Sequence, residues 1–133
     1  MILSVMNQKN VCIFSAHLSD CDSTENARRS ADLINELIDT VGFSGVVIPC
    51  DGQWEDKYEQ AYCVISDDLV VLSRCAVLAL RKGQEQVIMG FLGAYYAFDL
   101  HTAEYSEEKI PIPHNTKPRG DHTKILDDYV VFL

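Results

Sequence analysis

Apolar and polar positions alternate over Asn10 to Ala16, NVCIFSA, with Val11, Ile13 and Ser15 on one side and Cys12, Phe14 and Ala16 on the other, which predicts a strand. A polar loop, HLSDCDS, follows. Asp22 with Glu25 three residues later has the form of a capping box. Ala27, Ala31, Ile34, Leu37, Ile38 and Val41 then recur at helical spacing until Gly42. GVVIPCD predicts a second strand ending at Pro49, and AYCVIS a third, paired with it as a hairpin. Ser66 is placed to cap a second helix, with Asp67 and Asp68 in its first turn and Arg81 and Lys82 in its last before Gly83. Each charge there opposes the helix dipole at its end. Leu69, Leu72, Ala76, Ala79 and Leu80 form its expected apolar stripe. QVIMGFLGAYYAFDL reads as a fourth strand, kinked or bulged at Gly90 or Gly93.

The element order is therefore βαββαβ. It predicts an α+β domain of the ferredoxin-like kind, an antiparallel sheet with two helices on one face. The whole of residues 1–133 is expected to be one domain, with a core over about 10–103 and an irregular tail over 104–133 to which DDYVVFL adds an edge strand. Two helices cover one face only, so Phe91, Tyr95 and Tyr96 are expected on an open face that meets another subunit.

Composition narrows the classes. An apolar fraction of 47% excludes disorder, and no apolar run is long enough to span a bilayer, so no membrane partner is expected. MILSVMNQKN lacks the form of a secretory signal. Five widely spaced cysteines without a CxxC pair fit reduced thiols, with Cys63 and Cys75 as small buried hydrophobes; together these predict a cytoplasmic protein. A formal charge of −9 argues against nucleic acid as a partner, because phosphate contacts need clustered Lys and Arg.

Dinucleotide, Walker, zincin and serine-hydrolase signatures are all missing, and His17, His101, His114 and His122 are scattered as solvated loop residues would be. Neither a metal nor a cofactor is expected. What remains is a set of polar residues at the ends of elements: Ser15 and His17, Asn26 and Arg29, Trp54 and Glu59, Gln84 and Glu85. Taken singly, most of them read as ordinary surface residues. Trp54 and Glu59 differ, because a tryptophan in a polar turn with acids close by suits a cationic or flat ligand.

The stretches FSAHLSDCDSTENARRSADLINEL, GVVIPCDGQWEDKYEQAYCV, RKGQEQVIM and LHTAE resemble the phage-encoded S-adenosylmethionine (SAM) lyases, formerly called SAM hydrolases. The resemblance runs from about Val11 to Ala103 as a string of short matches, strongest at Ser15-Ala16, at Asn26 with Arg29, at Glu59 and at His101-Thr102-Ala103. It implies that Glu59 is the essential acid, that Trp54 stands where phage members carry a tyrosine beside the ligand, and that Ser15, Asn26, Arg29 and Gln84 or Glu85 bind substrate. The turn between Trp54 and Glu59 is shorter than in those enzymes. The implied reaction is cleavage of SAM to 5′-methylthioadenosine and L-homoserine lactone by the substrate's own carboxylate, with Glu59 holding the ammonium or the sulfonium region. By depleting SAM it counters SAM-dependent restriction-modification in a host cytoplasm. A homotrimer with sites between subunits is implied as well. Two rival readings are a module that binds SAM or another adenosyl ligand without turning it over, and an acidic anti-restriction protein that mimics DNA. Arg28, Arg29, Arg81 and Lys82 break up the acids and speak against the mimic.

Overall fold

A computed structural model of the chain describes residues 2–55 and 57–133. The elements are α1 (Ile2–Met6), β1 (Asn10–Ser15), α2 (Ser23–Val41), β2 (Gly45–Trp54), β3 (Lys57–Ser66), α3 (Leu69–Arg81), β4 (Gln86–Phe91), β5 (Ala94–Asp99), β6 (Pro111–His114), β7 (His122–Ile125) and β8 (Asp128–Phe132). All eight strands join one antiparallel sheet in the order β5-β4-β1-β3-β2-β7-β8-β6. The expected ferredoxin-like βαββαβ domain is thereby corrected: the fold is α+β with three helices and a strongly curled half-barrel of eight strands.

Three local features account for the difference. The segment 86–100 is a hairpin instead of one kinked strand, because Leu92 and Gly93 both take positive φ (52° and 97°), as a two-residue turn of the hairpin-favouring kind requires. Pro49 does not end the second strand. β7 joins β2 only from Cys50 onward, so Pro49 lies on a stretch with a single neighbour, the kind of strand position in which proline is tolerated. The tail is not irregular throughout but supplies β6, β7 and β8. Its residues 105–114 also change partner along their length, bridging to Phe98 and Tyr95 of β5 and then continuing along Leu133 and β8, which draws the two ends of the sheet together.

That curl gives the sheet two cores. The convex face carries Cys12, Phe14, Tyr62, Val64, Val87 and Met89 against Leu33, Leu37 and Val41 of α2 and Val71, Leu72, Cys75 and Leu78 of α3. The buried stripes differ from those expected. In α2 the stripe is Ser30, Leu33, Leu37 and Val41, leaving Ala27, Ala31 and Ile38 exposed. In α3 Leu69 and Leu80 are exposed while Val71, Cys75 and Leu78 are buried. Asp22 caps α2 by accepting from the Glu25 N–H (2.8 Å). The cap of α3 is Asp68, accepting from the Val70 N–H (2.9 Å), not Ser66, whose hydroxyl instead accepts from the Asp68 N–H and donates to the Ser44 carbonyl.

The concave face is filled by the chain itself. Leu3 and Met6 of α1 pack with Val11, Ile13, Cys50, Ala61, Cys63, Ile65, Tyr95, Ile125 and Val130. Tyr95 is 0% exposed, its ring meets Phe132 across the curl (5.4 Å between centroids), and its hydroxyl donates to Asn7 Oδ1 (2.8 Å). Gly90 makes room for it, since a Cβ there would lie 2.6 Å from the Tyr95 ring. The open face expected to need another subunit is thus closed internally, and Phe91 and Tyr96 lie on the opposite side, in an aromatic cluster with Phe98 and Tyr105. Burial pushes the Cys63 and Cys75 thiols up to about 12, which makes both inert packing groups. His122 is not a solvated loop residue; it is buried in β7, with Nδ1 2.8 Å from the Gly120 carbonyl. Among the described residues no helix is long and apolar enough to cross a membrane.

Candidate functional site

The site is a notch left by a strand that stops early. β1 ends at Ser15, opposite Ala61, so residues 57–60 of β3 pair with β2 alone. Beyond Ser15 the chain swings out as the loop 16–22 before α2 begins. Between that loop, the first turns of α2 and the tip of the β2–β3 hairpin lies a cavity of about 680 Å³, lined among others by His17, Asn26, Ser30, Trp54, Tyr58 and Glu59. A small-molecule ligand of the size of a nucleoside derivative fits such a volume.

Three of the expected site residues hold the loop and element ends around the cavity in place. The Asn26 side chain accepts from the Leu18 N–H (2.9 Å) and donates to the Leu18 and Cys21 carbonyls (3.1 and 3.3 Å), folding the loop back onto α2. Arg29 donates from Nε to the Ala16 carbonyl (2.6 Å) and from its other end to the Lys82 carbonyl, tying the end of β1 to the end of α3. Gln84 donates to the His17 carbonyl (2.9 Å). Of these, only Asn26 lines the cavity. Glu85 is exposed and outside it, and only its backbone carbonyl is engaged, by the Leu100 N–H.

The chemical centre is Glu59. Alternation along β1, β2 and β3 places Ser15, Trp54 and Glu59 on the concave side, at the open end of its core. Glu59 stands opposite Gly52, and the Trp54 indole folds over that glycine. A Cβ at Gly52 would lie 2.8 Å from Trp54 Nε1 and 3.1 Å from Glu59 Cγ, so the glycine is what lets indole and carboxyl approach each other. Burial pushes the Glu59 carboxyl above its ordinary value, while hydrogen bonding from Ser15 and Trp54 pulls it partly back. Among the described residues no Lys or Arg lies within ion-pair distance of it. His17 is held below its ordinary value by burial and by the Arg29 guanidinium, so at neutral pH it adds no positive charge to the cavity. The Tyr58 hydroxyl donates to Asp51 Oδ1 (2.7 Å), and this bond with partial burial pushes it up to about 12, so it serves as a neutral wall.

The structure therefore brings together Ser15, Asn26, Trp54 and Glu59, sets Arg29 and Gln84 behind them as braces, and leaves Glu85 apart. Trp54 and Glu59 belong to strands, and the connection between those strands falls on Glu55, at φ 51°, and on residue 56, outside the described residues. Ser30 was missed. Its spacing to Leu33, Leu37 and Val41 puts a hydroxyl on the buried stripe of α2, a signal visible only once the stripe is phased correctly. No group of three or more His, Cys, Asp or Glu side chains among the described residues is placed to hold a metal ion. No protein-family model matches the chain, and no curated protein matches it.

Proposed function

We propose that the notch binds SAM and cleaves it to 5′-methylthioadenosine and L-homoserine lactone. The observation that carries the reading is Glu59: a half-buried carboxyl beside an indole, in a cavity of about 680 Å³, with no Lys or Arg within ion-pair distance of it among the described residues. A carboxylate removed from water is costly unless something pairs with it, and a cationic ligand supplies the missing charge.

SAM offers two cations, and the chemistry distinguishes them. A carboxylate oxygen of the methionyl chain attacks its γ carbon, the carbon–sulfur bond breaks, and its electron pair goes to sulfur, which becomes the neutral thioether of 5′-methylthioadenosine. No water, proton or redox partner enters. The sulfonium charge disappears along this path, so a carboxylate gripping it would hold the ground state more tightly than the transition state and slow the step. The ammonium keeps its charge throughout. Glu59 thus acts on the ammonium, anchoring the methionyl chain in the folded shape in which carboxylate and γ carbon meet, and Trp54 covers the chain and limits water. Ser15 and the Trp54 indole N–H offset part of the burial that raises the Glu59 carboxyl and help aim it.

The trimer belongs to the same proposal and rests on the resemblance alone, since the concave face is filled internally. Its test is the molar mass by light scattering at micromolar concentration. For the reaction, purified protein incubated with SAM is expected to yield 5′-methylthioadenosine and homoserine lactone by mass spectrometry. SAM bound but recovered intact after long incubation contradicts cleavage and favours a binding module.

A further inference from the structure

The braces around the notch keep a strand edge open. β1 and β3 are antiparallel, so a β1 that continued past Ser15 would bring Ala16 opposite Gln60 and Leu18 opposite Tyr58. The phase of the ladder fixes which groups those residues would exchange. Leu92 N–H donates to the Lys9 carbonyl (3.0 Å) just outside the Asn10–Phe91 pair, so odd-numbered residues of β1 bond to β4 and even-numbered ones to β3. Phe14 stands opposite Tyr62, so Tyr62 turns its N–H and carbonyl toward β1, and by alternation Gln60 and Tyr58 turn theirs to the same edge. Pro49, opposite Tyr62 on the other side, has no N–H to give and fits this phase.

The groups that would have paired with this edge are committed elsewhere. The Ala16 carbonyl, due to Gln60 N–H, accepts from Arg29 Nε (2.6 Å). Leu18 N–H and the Leu18 carbonyl, due to Tyr58, both go to the Asn26 amide (2.9 and 3.1 Å). No hydrogen bond among the described residues engages Gln60 N–H or the Tyr58 backbone on that edge, and Tyr58, Glu59 and Gln60 line the cavity together with Leu18. Glu59 lies between the two residues that present the open edge.

We infer that this edge of β3 binds the amino-acid end of the ligand as it would bind a residue of a further strand: the ammonium donates to the Tyr58 carbonyl and the carboxylate accepts from Gln60 N–H. This rests on the reading of the notch as a SAM site. An α-amino acid carries a cationic donor and an anionic acceptor on one carbon, the pair that a carbonyl followed by an N–H along one edge calls for, and Glu59 between them supplies the charge for the ammonium. One carboxylate oxygen is thereby held, and the other stays free to attack the γ carbon.

The test is amide hydrogen exchange of the whole protein, read residue by residue by nuclear magnetic resonance, alone, with S-adenosylhomocysteine and with 5′-methylthioadenosine. The first keeps the amino acid but lacks the sulfonium that makes SAM cleavable; the second lacks the amino acid. Alone, the Gln60 amide is expected to exchange fast, and those of Glu59 and Ala61, which bond to β2, slowly. S-adenosylhomocysteine is expected to slow Gln60 about tenfold or more, and 5′-methylthioadenosine to leave it unchanged. Gln60→Pro, which removes the N–H without breaking a bond to β2, is expected to bind S-adenosylhomocysteine about tenfold more weakly and 5′-methylthioadenosine as before. The exchange experiment needs no substitution, so it decides if Gln60→Pro does not fold. Slow exchange of Gln60 in the free protein overturns the inference, as does bound S-adenosylhomocysteine that leaves Gln60 fast. Slowing by 5′-methylthioadenosine overturns it too, by putting the nucleoside on the edge. If neither SAM nor S-adenosylhomocysteine binds, the SAM reading itself fails and this inference falls with it.

Discussion

Two hollows in this molecule have similar dimensions and opposite chemistry. The notch of about 680 Å³ holds a half-buried carboxyl that forms no ion pair among the described residues. A second groove of about 510 Å³, between α1 and the start of β2, is lined by Ile2, Val5, Phe43, Val46, Ile48 and Ile65, and its polar groups are satisfied. Ser66 donates to the Ser44 carbonyl, and Lys9 pairs with Asp67 at 2.8 Å. Volume alone does not separate them. What separates them is a half-buried carboxyl without an ion-pair partner among the described residues in the first, whereas the polar groups of the second are paired within the chain.

The largest expected effect comes from removing that carboxyl. Glu59→Gln is expected to lower SAM cleavage by on the order of 100-fold, the penalty for losing the orientation of a reacting chain, as read by the rate of 5′-methylthioadenosine release. The same change is expected to raise the melting temperature at neutral pH. The Glu59 carboxyl is raised in the folded protein, so the folded state keeps its proton longer than the unfolded chain does. Below the unfolded value both states are protonated and Glu59 costs nothing. As pH rises through the raised folded value, an ionised group must be held half-buried, and stability is lost. The advantage of Glu59→Gln therefore appears at neutral pH and vanishes in acid. A variant that is destabilised at neutral pH would erase the contrast between the two hollows.

A smaller loss, about tenfold, is expected for Gly52→Ala with the fold retained, because the added methyl pushes into Trp54 Nε1 and Glu59 Cγ and shifts both by tenths of an ångström. It is checked by steady-state kinetics beside circular dichroism; normal kinetics would show that indole and carboxyl need not be close. A titration of SAM affinity against pH sharpens the picture further. Binding needs ionised Glu59, so affinity falls on acidification, and the fall begins above the range of an ordinary exposed glutamate. Glu59→Gln is expected to flatten that profile. The smallest effect belongs to the groove: Phe43→Ser, at a fully exposed position, is expected to leave cleavage within twofold and stability within about 0.5 kcal/mol.

Legibility from sequence followed the range of the interactions involved. The strand NVCIFS, the Asp22 cap and the pairing of Trp54 with Glu59 are governed by near neighbours, and periodicity or local chemistry exposes them. The curl of the sheet is governed by contacts between Tyr95 and Phe132 and by a tail segment that pairs with two strands in turn, none of which leaves a local trace. Leu92-Gly93 was readable as a hairpin turn, but the apolar run on either side masked it as one long strand. Arg29 and Gln84 look like ligand-binding residues in one dimension and prove to be braces on backbone carbonyls, because a side chain's target depends on which loop ends fold beside it. Ser30 escaped for the converse reason: a serine among helix formers looks like surface until the helix is phased against its sheet.

The proposed cleavage needs a substrate that supplies its own nucleophile and a cavity that supplies a counter-charge. The most direct measurement is the reaction of the whole protein with SAM in water labelled with heavy oxygen, quenched early and analysed by mass spectrometry. Attack by the substrate carboxylate predicts unlabelled homoserine lactone formed in step with 5′-methylthioadenosine, with solvent oxygen entering only as the lactone later opens. Homoserine carrying the label on its side-chain hydroxyl from the first time point, with no lactone before it, would mean that water is the nucleophile and that Glu59 works as its base, and it would contradict the account.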